Sequence, residues 1–372
     1  MIKLKNRLII ALFLFLLIII SGCKGKKDVQ KAIDEVRTGT EGLKLSFLPN
    51  APPEKIHVGQ EEKNEFDVEL ELKNKGAYPQ PNEGVGGVGL VGKVYLSGYD
   101  PKIIRFESKD GKSGDLSAMA LEGRSTLNPN GGQDILSFKG IVDANNLNVE
   151  RYEPTLLATA CYNYFTVAGP PVCIDPNPYS TIKEKKVCEI KPITLSSQGA
   201  PIAVTKIDEE AFATKTTFRI TIKNVGNGDV IKYQRTDKCD PSTDVKLVRE
   251  DIDKVYVQNI RIANRDLRCG PFAESTLAGA FKGTAGFIRL INGEGAIICD
   301  LPKEDYKESN TAYTTPLNIV LAYAYRNTVE RKMQIRKEIG ELGGGFDNDF
   351  PSSSSSSISS QPSNPPNEII IV

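Results

Sequence analysis

The fold of this chain is decided by two related stretches, Val68-Glu69-Leu70-Glu71-Leu72-Lys73-Asn74-Lys75-Gly76 and Phe218-Arg219-Ile220-Thr221-Ile222-Lys223-Asn224-Val225-Gly226. In each stretch apolar and polar residues alternate, and each ends in Lys-Asn-x-Gly. Alternation with a period of two is typical of a β-strand with one buried face, and Asn-x-Gly suits a turn because glycine tolerates positive φ. We therefore predict a strand followed by a turn at both places.

Further matches on either side extend this similarity into an internal repeat. Lys93-Val94-Tyr95 corresponds to Lys254-Val255-Tyr256, and Tyr162-Asn163-Tyr164 corresponds to Tyr323-Ala324-Tyr325. The interval from Tyr95 to Tyr162 is 67 residues, and the interval from Tyr256 to Tyr323 is the same. Gly132 and Gly293 also align, each before an apolar stretch. The chain is therefore predicted to hold two homologous β-domains.

The limits of the two copies follow from composition. A Pro-, Ser- and Gly-containing segment at 191–199 predicts a linker, which places the first domain at 43–190 and the second at 200–338. Short alternating segments separated by Gly, Pro and Asn turns are typical of antiparallel sheets packed face to face. The predicted fold class is all-β, with two tandem immunoglobulin-like antiparallel sandwiches.

The strand that ends in Lys-Asn-x-Gly resembles the immunoglobulin-like CARDB domains of prokaryotic surface proteins. The chain is also similar to archaeal lipoproteins with paired β-domains and cysteine-rich joints. This resemblance implies a β-sandwich fold and a location at the cell surface, and it brings no catalytic residues.

The N-terminus predicts export. Basic residues in the first seven positions precede an apolar run from Leu8 to Ile20, which is shorter than the ~20 residues that a membrane span needs. The following Ile20-Ser21-Gly22-Cys23 resembles the lipobox of prokaryotic lipoproteins, in which the cysteine receives a diacylglyceryl group. We predict a signal peptide at 1–22, lipidation of Cys23, and a tether at 23–42 that holds the protein on the outer face of the cell membrane.

The C-terminal segment differs from the rest of the chain. Residues 339–372 are rich in Gly, Ser and Pro and cannot bury enough apolar surface to fold, so a disordered tail is predicted. Its apolar end, Ile369–Val372, is interpreted as a stray terminus in preference to a strand that docks on a partner.

Six cysteines remain after Cys23, and an even number in an exported chain predicts disulfides. We predict that Cys269 bonds Cys299, because each follows an alternating run and a turn brings the second run back. The other four leave the connectivity open; one arrangement pairs Cys173 with Cys188, and Cys161 with Cys239 across the joint between the domains. A zinc site is less favoured, because no close Cys-x-x-Cys spacing occurs.

Two groups of acidic residues are candidates for a calcium site. Calcium prefers several oxygen ligands gathered on one loop. The order of an EF-hand loop is absent, so we favour solvated loop charge over calcium for this set: Asp237, Asp240, Asp244, Asp251 and Asp253. No cofactor is predicted.

Composition limits the function. The chain has 47 basic and 47 acidic residues. It therefore lacks the excess of basic residues that nucleic-acid binding needs. A single histidine, His57, and the absence of nucleophile motifs disfavour an enzyme. We predict a lipid-anchored cell-surface binding or adhesion protein without catalytic activity, whose partner is another envelope protein or a surface ligand. The alternative is a structural subunit of a cell-envelope assembly.

Overall fold

The computed structural model describes residues 36–59, 64–80, 89–108, 114–180, 186–275, 283–306, 309 and 311–338. The predicted signal peptide, Cys23 and the predicted tail at 339–372 lie outside the described residues. In the part of the chain that the structure describes, no helix is both long enough and apolar enough to cross a membrane.

The chain is all-β, as predicted, and nine of the described strands precede residue 191. They are β1 (Leu43–Phe47), β2 (Lys55–Val58), β3 (Asn64–Asn74), β4 (Gly92–Ser97), β5 (Ile104–Ser108), β6 (Gln133–Val142), β7 (Arg151–Tyr152), β8 (Thr155–Ala168) and β9 (Pro171–Ile174).

The second half of the chain holds the remaining described strands. They are β10 (Ile193–Thr194), β11 (Ile202–Ala211), β12 (Lys215–Asn224), β13 (Asp229–Ile231), β14 (Lys254–Ile262), β15 (Arg265–Asp266), β16 (Arg268–Gly270), β17 (Glu274–Ser275), β18 (Gly286–Arg289), β19 (Glu294–Pro302), β20 (Tyr313–Lys332) and β21 (Gln334–Lys337). The described helices are single 3₁₀ turns at Leu116–Ala118, Thr236–Cys239, Arg249–Asp251 and Lys303–Asp305.

Each half builds one small antiparallel sheet from equivalent strands. The first has the order β1-β3-β6-β5, and the second has the order β10-β11-β12-β19-β16. The alternating sequence forms strands with one buried face, as predicted: the apolar side chains of β3 and β12 point into the core, and the polar side chains between them point outward. The short strand β10 lies inside the predicted linker and pairs with β11.

A separate three-stranded sheet has the order β2-β21-β7. The other strands form a shared sheet that crosses the boundary between the repeats. Its order is β17-β18-β14-β20-β8-β4, so the centre is the antiparallel pair of β8 from the first repeat and β20 from the second. Their register runs from Thr155 opposite Lys332 to Ala168 opposite Ile319. The same register continues outward, with β9 pairing the start of β20 and β7 pairing β21.

This register relates the two repeats by a local two-fold axis. Asn163 lies opposite Ala324, and these two residues also hold the same position in the repeated Tyr-x-Tyr motif. Equivalent residues that face each other across an antiparallel pair are exchanged by a two-fold rotation between the strands. The two copies are therefore joined within one sheet, and the described residues up to Glu338 fall in one compact unit.

The hydrophobic core is shared in the same way. One contiguous cluster of buried side chains includes Leu70 and Tyr164 of the first repeat together with Phe218 and Tyr323 of the second. Both small sheets cover the face of the shared sheet that carries the tyrosines, so the sequence repeat packs as two joined sandwiches.

Candidate functional site

The repeated Lys-Asn-x-Gly motif is an internal anchor in both copies. The Oδ1 atom of Asn74 accepts hydrogen bonds from the Gly76 amide at 3.1 Å and the Tyr164 hydroxyl at 3.1 Å. The Oδ1 atom of Asn224 accepts the equivalent bonds from the Gly226 amide and the Tyr325 hydroxyl, both at 3.2 Å. The motif thus fastens the turn after each central strand to the shared sheet.

The other two tyrosines of the repeated motif also bond to backbone. The Tyr162 hydroxyl accepts from the Leu43 amide at 3.0 Å, and the Tyr323 hydroxyl accepts from the Ile202 amide at 3.4 Å. Burial raises the pKa of both phenols well above the usual value, so both stay neutral. These tyrosines are packing residues and are closed to a ligand.

Three disulfides occur among the described residues. Cys161 of β8 is joined to Cys239 of the second repeat, Cys173 to Cys188, and Cys269 to Cys299 directly opposite it in the pair of β16 and β19. Three disulfides in one chain are typical of proteins that fold in an oxidising compartment. They indicate an extracellular protein.

The acidic residues considered for calcium are used in other ways. Asp251 is buried, and its Oδ2 atom lies 2.7 Å from Nζ of Lys238; burial alone would raise the pKa of Asp251, but hydrogen bonds from Lys238 and the Val248 amide lower it overall. The Asp240 carboxylate accepts from the Ser242 amide at 2.9 Å.

The remaining candidates do not converge with them. Burial is the main cause of the raised pKa of Tyr95, and the charges of Asp240 and Asp237 raise it further. Asp244 is exposed. Asp253 has a left-handed backbone conformation, with a φ of 56°. Within the described ranges, no group of three or more His, Cys, Asp and Glu side chains could hold a metal ion. His57 is exposed on β2, opposite Arg336.

One candidate site lies at the two exposed segments that the Cys173–Cys188 disulfide joins. Residues 174–180 and 186–190 form its two described arms. Besides the disulfide, Nζ of Lys186 contacts the buried carboxylate of Asp175, and the Asp175 Oδ1 atom accepts from the Asn177 amide at 3.0 Å. The arms are thus connected by one covalent and one ionic link.

This loop presents apolar side chains to solvent beside a groove. The exposed fraction is 69% for Tyr179 and 77% for Val187. The groove has a volume of about 560 Å³ and is lined by residues of both arms: Asp175, Pro178, Lys186, Cys188, Glu189 and Ile190. From the sequence only the cysteines are predicted to matter here; the Asn-Pro-Tyr stretch between them is the signal for an exposed turn with an aromatic residue.

Comparison with known proteins assigns no family to this chain. No protein-family model matches the sequence, and no curated protein is detectably similar to it. Among solved structures, one named BspA_C_WT has 8% identity and a TM-score of 0.18, covering 78% of this chain and 97% of that chain.

Two further solved structures come from Streptococcus pyogenes and Pseudomonas aeruginosa. The C-terminal domain of the Streptococcus pyogenes antigen I/II-family protein AspA has 9% identity and a TM-score of 0.14, covering 80% of this chain and 100% of that chain. The CupB6 tip adhesin from Pseudomonas aeruginosa has 10% identity and a TM-score of 0.16, covering 81% and 98%. TM-scores of this size assign neither fold nor function.

Proposed function

We propose that this chain is a lipid-anchored binding protein of the cell surface, and that it contacts its ligand through the Cys173–Cys188 loop. The observation that carries this proposal is the combination of a closed loop, exposed Tyr179 and Val187, and a groove between the arms. The ligand would be a macromolecule at the surface, such as another envelope protein.

Preorganisation of the two arms favours binding. A loop held in one conformation before binding loses less entropy when it binds, so more of the contact energy appears as affinity. Tyrosine supplies a large contact area with few rotatable bonds and is enriched among residues that dominate interfaces. Tyr179 is exposed on the described arm 174–180, which the Cys173–Cys188 disulfide and the ion pair of Lys186 with Asp175 connect to the arm 186–190.

The anchor is the second part of the proposal. The lipobox-like Ile20-Ser21-Gly22-Cys23 supports diacylglyceryl attachment at Cys23, and two acyl chains hold a protein on a membrane stably where one chain would not. A chain with Cys23→Ser should remain an unprocessed precursor. Detergent partitioning and mass spectrometry measure this, and a mature native chain without a lipid adduct would contradict it.

The binding role is tested with loop variants on an array of immobilised extracellular proteins and polysaccharides. We expect the native chain to bind a subset of the array and Tyr179→Ser/Val187→Ser to lose that binding. The matched control is Val245→Ser/Val248→Ser, which removes two valines that are 56% and 55% exposed on another loop. Binding that the loop variant keeps and the control variant loses would disprove the assignment of the site.

A further inference from the structure

β1 is an edge strand of the first small sheet, and its outer side carries unpaired backbone groups. Among the described strands it pairs with β3 alone. The Gly42 carbonyl and the Leu48 amide bond to β3 and to the residue that follows it. Residues of an antiparallel pair face their neighbour alternately, so Leu45 and Phe47 direct their N–H and C=O groups away from β3. In the described part of the chain, neither residue has a hydrogen-bond partner on that outer side.

β11 is the equivalent strand of the second repeat, and its outer side is covered. Leu43 and Ile202 lie opposite the asparagines of the two Lys-Asn-x-Gly motifs, so Leu45 corresponds to Val204. The Val204 amide donates to Oε1 of Gln198 at 2.9 Å, and the Val204 carbonyl accepts from Nε2 of Gln198 at 3.1 Å. One side-chain amide thus satisfies both backbone groups that have no described partner at Leu45.

The next part of this edge of β11 is covered by β10. The Leu195 amide donates to the Thr205 carbonyl at 3.0 Å, and Ile193 lies opposite Ile207, which corresponds to Phe47. A short Ile-Thr-Leu segment therefore extends the second small sheet by one strand. The first small sheet has no described strand in the equivalent place.

The described segment before β1 does not supply this cover. Gln198 comes four residues before Ile202, whereas the residue four positions before Leu43 is Gly39, which has no side chain. The Gly39 amide donates to Oγ of Ser197 at 2.9 Å, so this segment contacts the second repeat. The outer side of β1 is therefore left open by the described residues.

A groove with a volume of about 190 Å³ lies along this open edge. Its lining includes Lys44 and Leu45 of β1 together with Thr328 and Val329 of β20. Because the Leu45 side chain is buried in the core, Leu45 offers its backbone groups to the groove. An extended chain placed in the groove would reach these groups.

The side chains beside this edge are positively charged. Lys44 and Lys73 lie directly opposite each other in the pair of β1 and β3, and like charges in such a position repel. The carboxylates nearby contact other groups: Glu71 contacts Ser46 and Gln133, and Glu41 contacts Lys75. The two lysines therefore leave a positive charge next to the unpaired backbone.

The equivalent row of side chains in the second repeat is neutral. Ala203 and Lys223 occupy the positions of the two lysines, and Nζ of Lys223 lies 2.7 Å from the carboxylate of Glu294, directly opposite on β19. In the first repeat Gln133 occupies the position of Glu294. The covered edge thus has one cation with a carboxylate partner, and the open edge has two cations without a carboxylate in their row.

From these observations we propose that the outer edge of β1 binds an extended, acidic segment of another protein, which adds to the first small sheet as a strand. Its backbone takes the place that Gln198 and β10 fill beside β11, and its carboxylate faces Lys44 and Lys73. In strand addition the main-chain hydrogen bonds give affinity, and the side chains give specificity. This proposal is independent of the binding role of the Cys173–Cys188 loop.

The same charges disfavour a second copy of this chain as the occupant. If two β1 edges paired with each other, each would bring its own Lys44 and Lys73 to the joined sheet. An exposed lysine on an edge strand is a means by which proteins prevent such self-pairing. A segment that carries aspartate or glutamate instead gains an attraction from these lysines.

The first test measures the binding of a fluorescent peptide, Gly-Ser-Ile-Thr-Leu-Glu-Ser-Gly, by fluorescence anisotropy. The peptide copies the Ile-Thr-Leu order of residues 193–195 and places its glutamate in the row of Lys44. The protein is the mature chain from Lys24 onward, exported to an oxidising compartment so that its disulfides form. We expect a dissociation constant of about 100 μM or lower.

The matched control peptide has lysine in place of glutamate and should bind at least about fivefold more weakly, because it meets like charges. A glutamate peptide that does not bind at about 1 mM overturns the proposal, and so does equal binding of both peptides. The variant Tyr179→Ser/Val187→Ser should bind the glutamate peptide as the native chain does. Loss of peptide binding in this variant would place the peptide at the Cys173–Cys188 loop and would overturn the proposal.

Methylation of the peptide backbone tests strand addition without altering the protein. N–H groups that point to the neighbouring strand alternate along an added strand. We therefore expect N-methylation of the peptide isoleucine or leucine, which lie opposite Phe47 and Leu45, to abolish binding. N-methylation of the peptide threonine or glutamate should leave the dissociation constant within about threefold. Equal losses at all four positions contradict a paired strand.

The variant Lys44→Glu tests the charge preference. Its new carboxylate lies opposite Lys73, so we expect the roughly fivefold preference for the glutamate peptide to fall within about twofold. The control Lys246→Glu changes an exposed lysine on another loop and should keep the native preference. Circular dichroism verifies that both variants are folded. An unchanged preference in Lys44→Glu, or an equal change in the control, overturns the proposal.

Sedimentation of the chain without peptide identifies the competing occupant. We expect a monomer at the concentrations used for peptide binding. A dimer that excludes the peptide would mean that a second copy covers the edge of β1, and this result would overturn the proposal.

Discussion

The Tyr164 hydroxyl donates a 3.1 Å hydrogen bond to Oδ1 of Asn74, 90 residues earlier in the chain. The Nδ2 atom of Asn74 meanwhile donates to the carbonyl oxygens of Tyr78 at 2.7 Å and Leu121 at 2.9 Å. One buried amide therefore connects a turn, a loop and the centre of the shared sheet, and Asn224 holds the equivalent turn in the second repeat.

Removal of this amide should destabilise the protein strongly. Asn74→Ala leaves the Tyr164 hydroxyl and two carbonyl groups without their partner in a buried place, so we expect a loss of about 2–4 kcal/mol in the free energy of unfolding. Tyr164→Phe removes one hydroxyl and should cost about 1–2 kcal/mol. Urea denaturation measures both losses. Asn145→Ala, at an exposed position, is the control, and an equal loss in the control would contradict the assigned role.

Glu209 should make stability depend on pH. Its side chain is buried, it accepts one bond from the Cys173 amide, and its Oε1 atom has no hydrogen-bond partner among the described residues. Burial raises the pKa of Glu209 from 4.5 to about 7, although the bond from Cys173 lowers it in part. Because the folded state binds this proton more tightly than the unfolded state, the contribution of Glu209 to stability falls as pH rises from 4.5 to about 7.

Thermal melts across this pH range check the effect. Glu209→Gln should flatten the fall in melting temperature and should exceed the native chain in stability at higher pH. The control Glu210→Gln changes an exposed neighbour and should keep the native slope. A native slope in Glu209→Gln would show that other groups cause the dependence.

The two repeats should fold together and reassemble when they are cut. Residues 198–338 alone would expose the edge of β20 that β8 covers from Ile319 to Lys332, so we expect this piece to self-associate. Co-export with residues 24–197 should give a complex joined by Cys161–Cys239, visible on a non-reducing gel and separated by reductant. Two pieces that each melt cooperatively as monomers would contradict a shared core.

The disulfide between the repeats should contribute measurably to stability. Cys161–Cys239 closes a loop with a sequence separation of 78 residues, and loss of such a bond costs about 2–4 kcal/mol. We expect Cys161→Ala/Cys239→Ala to unfold at lower urea concentration while Cys173–Cys188 and Cys269–Cys299 remain. Peptide mapping without reduction checks the three bonds, and any other pairing in the native chain would overturn this account.

The sequence by itself determined the all-β class and the internal repeat, because alternation and turn residues are local signals that each strand carries in its own residues. It did not determine that the repeats share a sheet. The tripeptide Lys-Val-Tyr occurs in both copies, yet Lys93 is exposed whereas Lys254 is 1% exposed and forms a 3.1 Å ion pair with Glu250. Identical local sequence thus has different surroundings.

The tertiary structure alone decided which residues meet across strands. The pairing of β8 with β20 is made by backbone hydrogen bonds, and backbone groups are common to all residues. No side-chain pattern therefore predicts this pairing. In the same way, Glu65 and Lys139 are far apart in sequence and become neighbours only through the register of β3 and β6. Such contacts are set by register and not by distance along the chain.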